Sequence, residues 1–380
     1  MAQTPADILA VAATDAHAKL HQPFVADEKI RQQFEYVCRN IQNRAPVRVV
    51  LACTLAKLHR PEVDVRKPYT EIGGPDSFSG RVYDEQFVGP FINDHKLPCN
   101  PTTAWLTPAL RNRNTVLTPD LDLVGRPPEL YKAMLDLLTS IHEGKTDSRP
   151  VLTETIRILF VIKAEKTQRI ETLLSGLRTT KDGSVPLSSE NILTLIEQHL
   201  HCKGASRLPV LIVAAAYTAA ERCFGEAAKP SQPHNAADIA TGALGDIEIT
   251  LVNDERVITS YEMKMRRVTR EDIDHALHKV NASEYRIDNY IFITTDAIDP
   301  EVAEYAVSLY GKTGGIEFVI LGCVAFLRHF LHLFHRLRQD FLEWYQTLVL
   351  EEPESAVRAE LKEAFLALRQ AAETGPENNM

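Results

Sequence analysis

Asp246, Glu262 and Lys264 have the residue types and spacing for hydrolytic chemistry. They lie in the stretch Gly245–Lys264, where two runs rich in Ile, Val, Thr and Tyr flank the polar break Asn253-Asp254-Glu255. That pattern predicts a β-hairpin with a three-residue loop. With 253–255 as the loop, Val252 pairs with Arg256, and the same register carries Asp246 opposite Glu262. Cross-strand partners share a face with Cβ atoms roughly 4.5 to 5.5 Å apart, so the two carboxylates converge. Lys264, two residues past Glu262, shares that face. Close like charges repel unless a cation lies between them. Mg²⁺ answers that need, since one or two carboxylates, a backbone carbonyl and waters suit it. Lys264 is placed to orient or help deprotonate a water on such an ion, and the set suits metal-assisted phosphodiester hydrolysis. The same residue types also occur on the solvated faces of ordinary hairpins. A two-residue loop would put Asp246 across from Tyr261 and part the carboxylates, so the reading depends on register.

The elements around the hairpin must hold it. After it, Met265-Arg266-Arg267-Val268 leads to Thr269 with Asp272 three residues on, an N-cap pattern for a helix to about Val280. Lys264, Arg266, Arg267 and Arg270 make a basic cluster beside the carboxylates, where a phosphodiester backbone needs positive potential. Tyr290–Thr295 and Glu317–Leu321 read as buried strands with a helix at Pro300–Tyr310 between them, and β–α–β order implies a parallel pair. Before the hairpin, helical patterns run over 128–145, 149–178, 188–202 and 207–227, and Lys229–Ala237 reads as the loop that delivers the chain to it. One long helix is predicted over Val324–Leu348, then a final helix over 353–373 and a polar tail.

The start of the chain, Pro5 to His59, shows apolar spacings of three and four that predict three packed helices. From Arg66 to Asn114 the period is lost in a stretch rich in Gly, Pro, Ser and aromatic residues. Tyr69, Phe78, Tyr83, Phe87, Phe91 and Trp105 can bury enough area to order it. Arg and Asn make bidentate contacts to guanine and adenine edges, so this loop is a candidate DNA-reading surface or else a packed surface loop. Arg66, Lys67, Arg81, Arg111, Asn112 and Arg113 are its candidate DNA contacts, together with Arg266, Arg267 and Arg270 beside the hairpin.

A net charge of −9 argues against a protein that coats nucleic acid nonspecifically and confines binding to a local basic cleft. Six cysteines without a C-x-x-C pair indicate neither a disulfide framework nor a zinc knuckle. His199-Leu200-His201-Cys202 fits no zinc spacing well, and His329, His332 and His335 drift around their helix. The N-terminus lacks signal-peptide character and no apolar run could span a bilayer, so a cytoplasmic protein without membrane contact is expected.

Gly245-Asp246 followed by Glu262-Met263-Lys264 resembles the PD-(D/E)xK nuclease signature, with Gly245 where that pattern often carries Pro. The chain resembles type II restriction endonucleases, most closely the SacI-type family, where a helical region and a loop like Asp76-Ser77-Phe78-Ser79-Gly80-Arg81 precede a Gly-Asp hairpin. The likeness covers residues 60–115 and 205–295. It implies a mixed α/β (α+β) fold with a PD-(D/E)xK restriction-endonuclease-like core and a large helical N-terminal region. The expected division is a helical region with the recognition loop at 1–145, the nuclease core at 146–350, and a C-terminal helix and tail at 351–380. By the same resemblance Asp246 and Glu262 are metal ligands with the Met263 carbonyl as a further one, and Lys264 is the catalytic lysine. Mg²⁺-dependent cleavage of duplex DNA at a short, palindromic site, a homodimer and a partner methyltransferase are implied as well. Two other readings stay open: a repair or structure-specific nuclease of the same superfamily, and a non-catalytic DNA-binding or interaction protein.

Overall fold

Apolar residues at helical spacing fold the start of the chain into α1 (Pro5–Ala18), α2 (Glu28–Arg39) and α3 (Ala45–His59). Thr4 and Asp7 close a capping box at the head of α1, satisfying backbone N–H groups that a helix start leaves unpaired. Every residue of α3 from Ala45 to Ala56 is buried, which makes it the central helix of its unit. The computed structural model describes residues 3–40, 43–100, 102–179, 185–229, 243–254, 256–283 and 286–374. It divides into two compact units, Met1–Gln168 and Arg169–Met380. The expected loop beyond Lys229, the turn residue Glu255 and the polar tail beyond Thr374 lie outside the described residues.

In the first unit the aperiodic stretch proves more regular than its composition suggests. Gly80–Asp94 is helical, as α4 (Gly80–Tyr83), a π turn (Asp84–Val88) and α5 (Gly89–Asp94). Gly80 reads as a breaker, yet it is needed inside this helix: a Cβ there would stand 2.3 Å from the Trp105 ring. Phe78, Tyr83, Phe91 and Trp105 are buried with α3, so the aromatic residues order the segment as expected. Arg48 of α3 binds Asp84 of the π turn at 2.8 Å, and Asp84 also accepts from Thr103 Oγ1 (2.6 Å) and the Ala104 N–H (3.1 Å). The unit continues through α6 (Pro128–His142) into the long α7 (Ser148–Thr179), inside which the division between units falls.

The second unit is a five-stranded sheet with helices on both faces. Its strands β1 (Glu226–Ala228), β2 (Ile247–Leu251), β3 (Val257–Lys264), β4 (Asn289–Thr294) and β5 (Glu317–Gly322) lie in sequence order. The first two pairings are antiparallel and the last two parallel. Each parallel step requires a crossover, supplied by α10 (Arg270–Ala282) and α11 (Pro300–Ser308). These two pack on one face, with Ile273, Ala276 and Val280 against Tyr290, Phe292 and Phe318. Strand alternation sends Ile247, Ile249, Tyr261 and Ile293 to the other face, under α8 (Ser189–Leu200), the wholly apolar start of α9 (Leu208–Phe224), and helices from later in the chain. The later helices differ from expectation. Instead of one long helix there are two, α12 (Cys323–Leu333) and α13 (Arg338–Glu351), because Phe334 leaves helical backbone at φ −112°, ψ 47°. Its ring stacks edge-on against Phe224 of α9, so the apolar pattern runs on through the break while the helix does not. The last helix, α14 (Ala359–Thr374), starts later than the sequence predicts.

Candidate active site

The register of the β2–β3 hairpin decides whether Asp246 and Glu262 meet. Ile247 pairs with Tyr261, Glu248 with Ser260 and Ile249 with Thr259. The ladder ends at the Ile247–Tyr261 pair, and just beyond it the Asp246 N–H donates to the Tyr261 carbonyl at 2.7 Å, which brings Asp246 to the strand one residue before Glu262. The turn is not the three-residue loop expected, for Thr250 already pairs with Val257. A β-bulge at Ile249/Thr250 takes up the difference, leaving Ile258 as the extra residue on β3. A bulge inverts which face later side chains meet. Accordingly Val257 joins the core under α10, while Ile258 joins Tyr261 on the opposite face. Without it the turn's pairing would have carried Asp246 opposite Tyr261.

Gly245 is explained at the same place. A Cβ on it would lie 2.5 Å from the Tyr261 carbonyl oxygen and 2.5 Å from Ser260 Oγ, so the close approach of the two strands admits no side chain. Asp246 is exposed, and its Oδ2 accepts the Met263 N–H at 2.7 Å, which fixes the carboxylate to the β3 backbone.

Around Glu262 the site is dense with donors. Lys264 Nζ lies 2.6 Å from Oε1, and Lys279 Nζ of α10 is 3.7 Å from Oε2. The Tyr290 hydroxyl also binds Oε2 and reaches the Leu244 carbonyl at 2.8 Å, tying β4 to the segment that leads into Gly245. Lys264 Nζ has a second acid 3.2 Å away, Asp272 at the head of α10. Asp272 is buried and forms two hydrogen bonds with Arg266 (2.7 and 2.8 Å). It also closes a capping box with Thr269, accepting that residue's N–H at 2.9 Å. Burial opposes charge on Asp272, but the Arg266 and Thr269 hydrogen bonds and the Lys264 charge outweigh it and hold the carboxyl well below the usual range. Burial likewise opposes charge on Lys264, and Glu262 and Asp272 overcome it, raising the amine above the ordinary lysine value. In this arrangement Lys264 is an ammonium: a donor, and not a proton acceptor.

Asp246 and Glu262 offer carboxylate oxygen, the kind of ligand a hard divalent cation takes. Among the described residues no three His, Cys, Asp or Glu side chains converge on one point. A cation between Asp246 and Glu262 would therefore complete its shell with a main-chain carbonyl and water, which is how Mg²⁺ is commonly bound. The residues present fit that ion.

Residues 185–295 match the family model of the SacI restriction endonuclease C-terminal domain. Over this segment the chain is similar to that nuclease domain. The matched segment holds Asp246, Glu262, Lys264 and Asp272, and it ends just past β4. A search of curated proteins finds no match.

The chain treats its predicted DNA contacts unequally. Arg66 is bound to Asp64 at 2.8 Å and to His142, Lys67 to Asp76 at 2.6 Å, and Arg81 to Glu85 at 2.8 Å. Arg266 is held by Asp272, Arg267 lies 3.5 Å from Asp296, and Arg270 stands over the Tyr305 ring at 5.1 Å. Arg113 donates to the Ala109 carbonyl. Arg111 and Asn112 are exposed on a turn anchored by buried Ala109 and Leu110, whose carbonyl accepts from Tyr69. Asn112 and Asn114 both take left-handed backbone, at φ 55° and 47°. No helix among the described residues is long and apolar enough to cross a membrane. Of the adjacent histidines, His199 is buried between Tyr345 and the Leu361 carbonyl, whereas His201 is exposed. Sequence reasoning missed Asp272, Tyr290 and Lys279 as parts of the site. The Thr269–Asp272 capping pattern was visible, but nothing in it showed that the capping carboxylate also reaches Lys264.

Proposed function

We propose that this chain is a type II restriction endonuclease that hydrolyses both strands of duplex DNA at a short palindromic sequence with Mg²⁺, as a homodimer in the cytoplasm. The observation that supports the reading is that Asp246 is held to β3 by the Met263 N–H, next to Glu262 in the chain, with Lys264 on Glu262, inside the family-matched segment. Asp246, Glu262 and the Met263 carbonyl would hold the ion, which when bound supplies Lewis acidity and a more acidic water. The chain's own groups do the positioning. The Met263 N–H fixes Asp246, Tyr290 fixes Glu262, and the Lys264 ammonium presents positive charge where the phosphodiester gains negative charge. Arg111 and Asn112, exposed on an anchored turn, are the side chains best placed to read bases. A twofold protein matches a twofold target, each subunit offering the same surface to one half-site. A methyltransferase that protects host DNA would accompany such an enzyme.

Purified protein incubated with unmethylated phage DNA, with and without Mg²⁺, tests the reading. Discrete Mg²⁺-dependent fragments are expected. A smear would favour a structure-specific or nonspecific nuclease, and intact DNA on every substrate would leave a binding protein. Asp246→Ala, Glu262→Ala and Lys264→Ala should each reduce cutting by at least about 10²-fold, on the scale of a lost electrostatic group. Asp246→Ala should still shift a duplex carrying the site; full cutting by that variant would refute the assignment.

A further inference from the structure

We infer that Asp272 is the positioning residue of the catalytic lysine, an inference that rests on the nuclease reading above. Lys264 carries a flexible four-carbon stem, and a charge on such a stem is useful at one point only if something holds it there. Glu262 does so at 2.6 Å, but Glu262 is also the carboxylate that a divalent cation would claim. Asp272, 3.2 Å from the same ammonium on its other side, faces no such competition. Its own position is fixed from three directions. Arg266 grips both carboxylate oxygens at 2.7 and 2.8 Å, the Thr269 N–H donates at 2.9 Å and the Thr269 hydroxyl at 3.0 Å. The side chain is more than nine-tenths buried, so water does not compete for it.

The arrangement follows from the chain order. β3 ends at Lys264, four residues turn the chain through Val268, Thr269 caps the helix, and α10 starts at Arg270. A capping residue at the third position of that helix must lie back over the end of β3, beside the lysine. The capping carboxylate thereby joins two cations: Lys264, beside Glu262, and the exposed Arg266.

Asp272→Asn keeps an acceptor for the Thr269 cap and removes the charge that holds Lys264. In the full chain with saturating Mg²⁺ and cognate duplex, the single-turnover cleavage rate should fall about 10²-fold, the cost of a misplaced group. KM and binding of the site measured without Mg²⁺ should change less than about threefold, with the melting temperature held, because the cap survives. Asp272→Glu keeps the charge and should recover part of the rate; it also serves if Asp272→Asn fails to fold. Wild-type rates in both variants would overturn the inference while leaving the nuclease reading intact. So would a rate loss matched by equal losses in binding and melting temperature, which marks a structural role. Absence of cleavage by the wild-type protein would instead remove the nuclease reading and this inference with it.

Discussion

Each unit of the molecule contains a carboxylate clamped by an arginine, and the two are put to different ends. Arg48–Asp84 in the first unit is closed, with side-chain exposures of 2% and 0% and further donors from Thr103 and Ala104. The cluster in the second unit stays partly open, with Lys264 at 20%, Glu262 at 14% and Asp272 at 8%, and with exposed Asp246 at its edge. A buried pair whose hydrogen bonds all close on the protein can specify packing but offers nothing to a ligand. An acid and a lysine at the rim of a sheet still have oxygen and N–H valences to share with a substrate. The difference between structural and chemical use of the same residue types thus lies in which polar groups the fold leaves unburied.

Asp84→Ala should break that contrast most severely. Arg48 would be left charged in the core, at a cost of about 3 to 5 kcal/mol. Urea unfolding would record it as a lower midpoint for the first unit; a shift below about 1 kcal/mol would mean that the pair is not what holds α3 to the π turn. His199 sharpens the comparison by placing a closed polar group in the second unit. Burial lowers its pKa from the ordinary 6.5 to about 4, and the neutral ring donates from Nε2 to the Leu361 carbonyl while Nδ1 accepts from Tyr345. The unfolded chain therefore binds the proton first. Stability from His199 is complete above pH 6.5 and falls as pH drops toward 4, by about 3 kcal/mol in all. Melts of the wild type and of His199→Gln at pH 7.5 and 4.5 should differ by that slope. Equal slopes would show that the ring is already charged or exposed. Gly245→Ala should have the smallest effect on stability, about 1 to 3 kcal/mol of overpacking, yet a large one on cutting, because the displaced strand carries Asp246 away from the Met263 N–H. Cutting at the wild-type rate would mean the strands can part at no cost to the site.

Much of the second unit was legible because local chemistry and global fold agree there. The β-branched runs, the Thr269–Asp272 cap and the β–α–β order each specify one structure, and the structure has all three. The expected register holds from Ile247–Tyr261 to Ile249–Thr259 although the expected turn does not form; a bulge restores it, and no residue type at Ile249 or Ile258 announces a bulge. What the sequence hid is mostly long-range. Nothing near Arg66 or Lys67 in the pattern told that Asp64 and Asp76 would bind them, and nothing at Phe334 told that its ring would leave the helix for Phe224. The Gly-rich stretch around Gly80 reads as aperiodic, whereas Gly80 is a packing requirement inside a helix.

The bulge in the hairpin has a consequence for how such a chain can change over generations. The turn end and the site end of β2 and β3 keep different registers, with one spare residue between them. A strand with a residue in reserve has a buffer: an insertion or deletion in the 251–256 turn can be absorbed by gaining or losing the bulge. The site end stays locked by the Asp246–Tyr261 and Met263–Asp246 hydrogen bonds. The loop is thus free to vary in length while the spacing of the acidic pair is inherited unchanged.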